Sequence, residues 1–141
     1  MPLRRTVAFL TWENKYSVGV QALDQQHTTL FDIINELHAA MMQRKAQSVT
    51  APLLRKLADY TRYHFAAEEA LLMAKAYPGL AQHRLLHADL IKQVEDFVRR
   101  SERGDITLSV DLMNFLRNWL TDHILKVDSS YGSYLAAREA R

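Results

Sequence analysis

Apolar residues recur every three to four positions along most of the chain, the period of a helix that buries one face. The stripe His27, Leu30, Ile34, Leu37 and Met41 predicts a first helix over about 22–43. Leu53, Leu57, Thr61, His64, Glu68 and Leu71 predict a second over about 50–75. His83, His87, Leu90, Val94 and Val98 predict a third over about 80–102. Leu112, Leu116, Trp119 and His123 predict a fourth over about 109–127. Pro52 falls near the start of the second pattern, where proline is tolerated. Tyr77-Pro78-Gly79 breaks the chain between the second and third, and Gly104-Asp105 ends the third.

Long helices joined by short connections pack as antiparallel neighbours. The expected fold is all-α, an up-down-up-down antiparallel four-helix bundle. Residues 1–21 lack clear periodicity and are read as an N-terminal arm. Trp12, Tyr16, Val18 and Val20 are expected to pack it on the bundle. A single domain over residues 1–141 accounts for the whole length.

Composition narrows the chemistry. Nearly half the residues are apolar, enough for a real core. A formal net charge of +2, with both signs mixed along the chain, argues against a nucleic-acid surface. There is no cysteine, so disulfides, thiolate metal sites and cysteine nucleophiles are excluded. The apolar part of the first ten residues is too short for a signal core or a membrane span. A cytoplasmic protein is the expectation.

The polar residues on the inner stripes change the picture. His27, His64, Glu68, His83, His87 and His123 interrupt apolar faces on all four predicted helices. A lone inward histidine is ordinarily a core residue with its own hydrogen-bond partner. Burying six such groups separately is costly, and one metal centre satisfies them together. Residues i and i+4 on a helix lie ~40° and ~6 Å apart, so they can aim at one ion. His83 and His87 have that spacing, and so do His64 and Glu68. His123 and Asp128 do not, because five residues span ~140° on an ideal helix. If both bind, the helix must be distorted there, as in a π-like turn. Spacing alone leaves Asp128 open between a ligand and an exposed carboxylate near a helix end.

With these residues in place, the chain resembles a bacterial hemerythrin. The resemblance runs through Trp12, Tyr16-Ser-Val-Gly-Val20, Leu23-Asp-Gln-Gln-His27, His64-x-x-x-Glu68, His83-x-x-x-His87 and His123-x-x-x-x-Asp128. It covers nearly the whole chain. It implies two iron ions with a bridging oxo or hydroxo group. It implies metal ligands at His27, His64, Glu68, His83, His87, His123 and Asp128. Glu68 and Asp128 would each bridge the two irons. His83, His87 and His123 would hold one iron, and His27 and His64 the other. With one bond per imidazole and two per bridging group, one octahedral position stays open, on the iron of His27 and His64. Nitrogen and oxygen donors suit iron, whereas zinc prefers a closed site of four ligands.

The implied function is reversible dioxygen binding, for carriage, storage or delivery, with azide or a similar small anion as inhibitor. An enzyme is not the expected reading. An oxygen or redox sensor, or a di-iron enzyme with peroxidase-like or nitric-oxide chemistry, is the alternative. The Glu-x-x-His pairs of carboxylate-rich di-iron oxygenases do not occur in the chain. His38 lies eleven residues past His27, ~16 Å along the axis and too far to be a ligand. It is expected to be solvated or capping. Met41, Met42 and Met73 read as core or helix-end packing, and Trp119, Leu120 and Ile124 as bulky core beside His123.

Overall fold

The computed structural model describes residues 9–104 and 109–139. Residues 1–8 of the expected arm and Asp105 at the expected end of the third helix lie outside them. Four long helical runs form the bundle: α1 (Gln21–Met42), α2 (Gln47–Ala74), α3 (Leu80–Glu102), and a fourth run in three parts. That run begins as α4 (Val110–Asp122), passes through a π-helical turn (His123–Asp128) and continues as α5 (Ser129–Glu139). The described residues contain no strand, and no helix among them is long and apolar enough to cross a membrane. The four-helix bundle expected from the periodicity is the fold. α1 packs along α2, α2 along α3, and α4 closes on α1.

Two of the connections are helix ends that reverse the chain within a few residues. After α1, Lys45 N–H donates to the Ala40 carbonyl and Arg44 N–H to that of Met41. After α2, Tyr77 N–H donates to Leu72 and Ala76 N–H to Met73. This is the Schellman pattern, which needs a left-handed residue after the helix. Arg44 and Ala76 supply it at φ 53°, although neither is glycine.

Two boundaries differ from the expectation. α2 starts at Gln47, so Pro52 lies inside the helix and not in its first turn. The early start is anchored from outside, since the Gln47 side chain donates to the Ser101 carbonyl at the end of α3 and Thr50 is buried. The fourth run passes the expected end at 127 by a full α5. Ser129, Ser130, Gly132 and Ser133 obscure its apolar period. Tyr131 and Leu135 nevertheless face inward, against Leu23, Leu72 and Val18. A Cβ on Gly132 would meet the Val18 carbonyl oxygen at 3.0 Å, so glycine lets α5 lie against the arm.

The described part of the arm packs as the pattern suggests. Tyr16 and Val18 are buried, and Trp12 and Tyr16 set their rings edge-on to Phe31 of α1. Asn35 binds both the N–H and the carbonyl of Leu10, at 2.8 and 2.7 Å. His38, expected to be solvated or capping, is partly exposed and stacks on Phe9 at 4.2 Å. Met41 packs on the core, but Met42 and Met73 are exposed.

The left-handed residues make a stability prediction. A Cβ in that region costs roughly 1–2 kcal/mol, and glycine avoids it. Ala76→Gly should raise unfolding free energy by about 1 kcal/mol in urea titration, whereas Ala70→Gly, exposed inside α2, should lower it by a similar amount. Equal effects at the two positions would count against this account of the turn.

Candidate metal centre

The apolar core is split into two parts. The larger surrounds Leu30, Leu57, Phe65 and Leu116, and the smaller surrounds Leu23, Leu72 and Tyr131. Between them lies a polar layer. His27 stands between Leu23 and Leu30 on α1, and Glu68 between Phe65 and Leu72 on α2. α3 adds His83 and His87, and the π turn adds His123 and Asp128. All seven expected residues meet here, and each is no more than 7% exposed. The π turn explains the awkward spacing. Hydrogen bonding to the fifth residue widens the turn, so side chains five apart come to one face. His123 Nε2 thereby lies 3.1 Å from Asp128 Oδ1.

The layer resolves into two groups whose donor atoms lie within 4.8 Å of one another. One holds Glu68, His83, His87, His123 and Asp128, and the other His27, His64, Glu68 and Asp128. The carboxylates belong to both, one oxygen to each. Glu68 Oε1 faces His83 Nε2 at 2.6 Å and His87 Nε2 at 3.1 Å, while Oε2 faces His64 Nε2 at 3.2 Å. Asp128 Oδ1 faces His83 at 3.3 Å and His123, and Oδ2 faces His27 at 3.2 Å.

His83 Nε2 and Glu68 Oε1 form a hydrogen bond, and the other pairs are close without being aligned as one. His27 Nε2, His64 Nε2 and both oxygens of Asp128 are buried without a hydrogen-bond partner. His87 and His123 turn Nε2 atoms on each other at 3.2 Å. Buried lone pairs are normally satisfied. Lone pairs that converge on common points and miss each other suit a cation at each point. The donor set, imidazole nitrogen and carboxylate oxygen with no sulfur, is that of a di-iron site.

Electrostatics shows the strain on the centre without metal. Burial would raise Glu68, but His27, His64, His83 and His87 hold it well below the usual carboxylate range. Burial and the charge of Glu68 would raise Asp128, and His123, His27 and His83 outweigh them. Burial would lower His27, yet Asp128 and Glu68 push it up to about 9. His83 is raised to about 9 against its burial by the same carboxylates. For His64 burial wins and lowers the imidazole below its usual value.

Several residues around the seven escaped the sequence reading. Gln26 Oε1 meets His64 Nδ1 at 2.7 Å, and Glu69 Oε2 meets His87 Nδ1 at 2.8 Å. Tyr131 donates its hydroxyl to Glu68 Oε2 at 2.8 Å. Phe65 stacks flat on His87 at 3.6 Å. Gln26 and Glu69 adjoin His27 and Glu68 in sequence, but spacing along one helix does not show which neighbouring ring each meets. Tyr131 lay past the expected helix end. Its one available signal is spacing, three residues beyond Asp128. Trp119, Leu120 and Ile124 are buried core, as expected.

The metal-free chain should carry a distinctive pH dependence. His27 and His83 are raised above their unfolded value of 6.5, so their contribution is present below pH 6.5 and lost as pH rises through about 9. Each contributes a slope of at most roughly 1.4 kcal/mol per pH unit in that window. Metal needs neutral imidazoles, so its affinity should rise over the same window. Denaturant melts from pH 6.5 to 9 should therefore show falling stability without metal and rising added stabilisation with it. A flat metal-free profile would contradict the electrostatics.

Comparison with known proteins agrees with this geometry. Residues 18–135 match the family model of the hemerythrin HHE cation binding domain. A bacteriohemerythrin of Stenotrophomonas maltophilia is 34% identical over 133 residues, covering 93% of this chain and 84% of that protein. A bacteriohemerythrin of Methylococcus capsulatus is 33% identical over 132 residues, covering 93% of this chain and all of that protein. The crystal structure of a wild-type hemerythrin superposes with a TM-score of 0.85 at 33% identity, covering 92% of this chain and 99% of that one. Family match, relatives and buried histidine-carboxylate layer agree: the chain belongs to the hemerythrin family.

Proposed function

We propose that this chain binds dioxygen reversibly at a pair of iron ions, for carriage, storage or delivery. His83, His87 and His123 would hold one iron, His27 and His64 the other, and Glu68 and Asp128 would bridge them. The observation that carries the reading is the division of each carboxylate. One oxygen is turned to each histidine group, the arrangement a bridge requires. When bound, the iron pair supplies the electrons that dioxygen takes up and returns.

The chain does the rest. The group of His27 and His64 offers four side chains against five on the other, so room for a small ligand lies on its side. Leu23 and Leu30 flank His27, and Phe65 and Leu72 flank Glu68, all nearly inaccessible to solvent. They keep bulk water from the centre and limit loss of a bound anion to solvent. Gln26 fixes the ring of His64 and Glu69 that of His87, so each turns Nε2 inward. Tyr131 holds Glu68 in its shared position. The names of the relatives, bacteriohemerythrins and a hemerythrin, support the same reading.

Metal analysis of protein loaded with ferrous ion under anaerobic conditions should find about two irons per chain, and loading should raise the melting temperature by mass action. Glu68→Ala removes the shared carboxylate and should abolish stoichiometric loading. His38→Ala removes a ring that stacks on Phe9 and should leave loading unchanged. Equal iron content in the two variants would refute the assignment.

The functional test is optical. Reduced protein should be nearly colourless, turn violet-pink in air and bleach under inert gas. Azide should bind the oxidised form and block the cycle. If the reduced protein instead consumes oxygen irreversibly and turns over a reductant, the chain is an enzyme and the carrier reading fails.

A further inference from the structure

The two groups differ in more than the number of side chains. His87 is buried, and its outer nitrogen faces a carboxylate that can only accept, so Nδ1–H donates to Glu69 Oε2 at 2.8 Å. Glu69 is 24% exposed and pairs through Oε1 with Arg84 Nε at 3.3 Å. On the other group, His64 meets a neutral amide, Gln26, at 2.7 Å. His27 Nδ1 is buried without a hydrogen-bond partner among the described residues. The Tyr131 hydroxyl donates to Glu68 Oε2, the oxygen turned to His64 and His27. Each group thus has one hydrogen bond that pushes electron density inward, but only that of Glu69 on His87 is charge-assisted. The bond that draws density away from the shared carboxylate lies on the group of His27 and His64.

We propose that Glu69 and Gln26 are positioning residues that make the two metal positions unequal in electron donation. The position of His83, His87 and His123 then gives up an electron first. This rests on the iron reading above. The physical cause is the difference between an anionic and a neutral acceptor. A charge-assisted hydrogen bond is roughly twice as strong as a neutral one, and an imidazole that donates to a carboxylate is a more basic ligand. Greater basicity favours the ferric over the ferrous ion. Arg84, about half exposed, draws on the charge of Glu69 and tempers the effect from the surface. The consequence suits the function: the group with room for a ligand stays ferrous longest.

Spectroelectrochemical titration of the iron-loaded chain tests this, with mediators exchanging one electron per step with the electrode. Glu69→Gln keeps an acceptor but removes its charge. It should change the ferric-to-ferrous affinity ratio at one position about tenfold or more. The first step should then rise by at least about 59 mV, with the second moving less. Arg84→Gln should shift the first step downward. Two variants that leave the first step in place, or that move both steps equally as a general charge effect would, overturn the proposal. If Glu69→Gln fails to load iron, Arg84→Gln decides alone, because it leaves every group at the centre in place. A native chain that does not take up two irons refutes the iron reading instead.

Discussion

Five imidazoles and two carboxylates sit in a buried layer between two apolar cores, and the rest of the molecule is built around that fact. A buried polar group without a partner costs free energy, and a buried charge costs more. Glu95 shows the ordinary solution. It is nearly buried on α3, and Arg55 of α2 reaches both its oxygens from the bundle surface at 3.1 and 3.2 Å. Around Glu68 and Asp128 the ion-pair partners are imidazoles, and several of their atoms find no aligned partner. The layer is therefore a donor set that suits cations.

Bringing that set together constrains the backbone. Four helical runs must each bring a side chain to one level of the bundle, which demands long, straight, closely packed helices. Three of them do so with ordinary α spacing, His64 with Glu68 and His83 with His87 one turn apart, and His27 alone on α1. The fourth supplies two residues five apart and has to widen into a π turn. The same turn resets the face of everything after it. Tyr131 and Leu135 consequently point inward and seal the smaller core, and Tyr131 reaches Glu68.

The surroundings of the layer are arranged as carefully as the layer itself. Outer nitrogens of two histidines are held by Gln26 and Glu69, which fixes ring orientation and leaves Nε2 free to face the centre. Phe65 lies flat on His87 and restricts it further. These contacts join α1 to α2 and α2 to α3, so the residues that orient the centre also tie the bundle together. Folding and metal affinity are coupled through them.

Much of this was written in local pattern. Helical periodicity exposed the four runs, and the i, i+4 pairs on α2 and α3 exposed half of the polar layer, because both depend only on spacing within one helix. Asp128 could not be placed that way, since ideal α geometry turns it from His123, and it took family resemblance to suggest it. Gln26, Glu69 and Tyr131 were invisible for a different reason. Their chemistry lies in contacts between helices, which spacing along a single helix does not show. α5 was hidden because serines and a glycine mask its apolar period, and only the arm's Val18 explains why Gly132 stands there. Local spacing thus determined which residues share a helix face. The tertiary packing decided which faces meet, which carboxylate oxygen serves which group, and how unequal the two groups became.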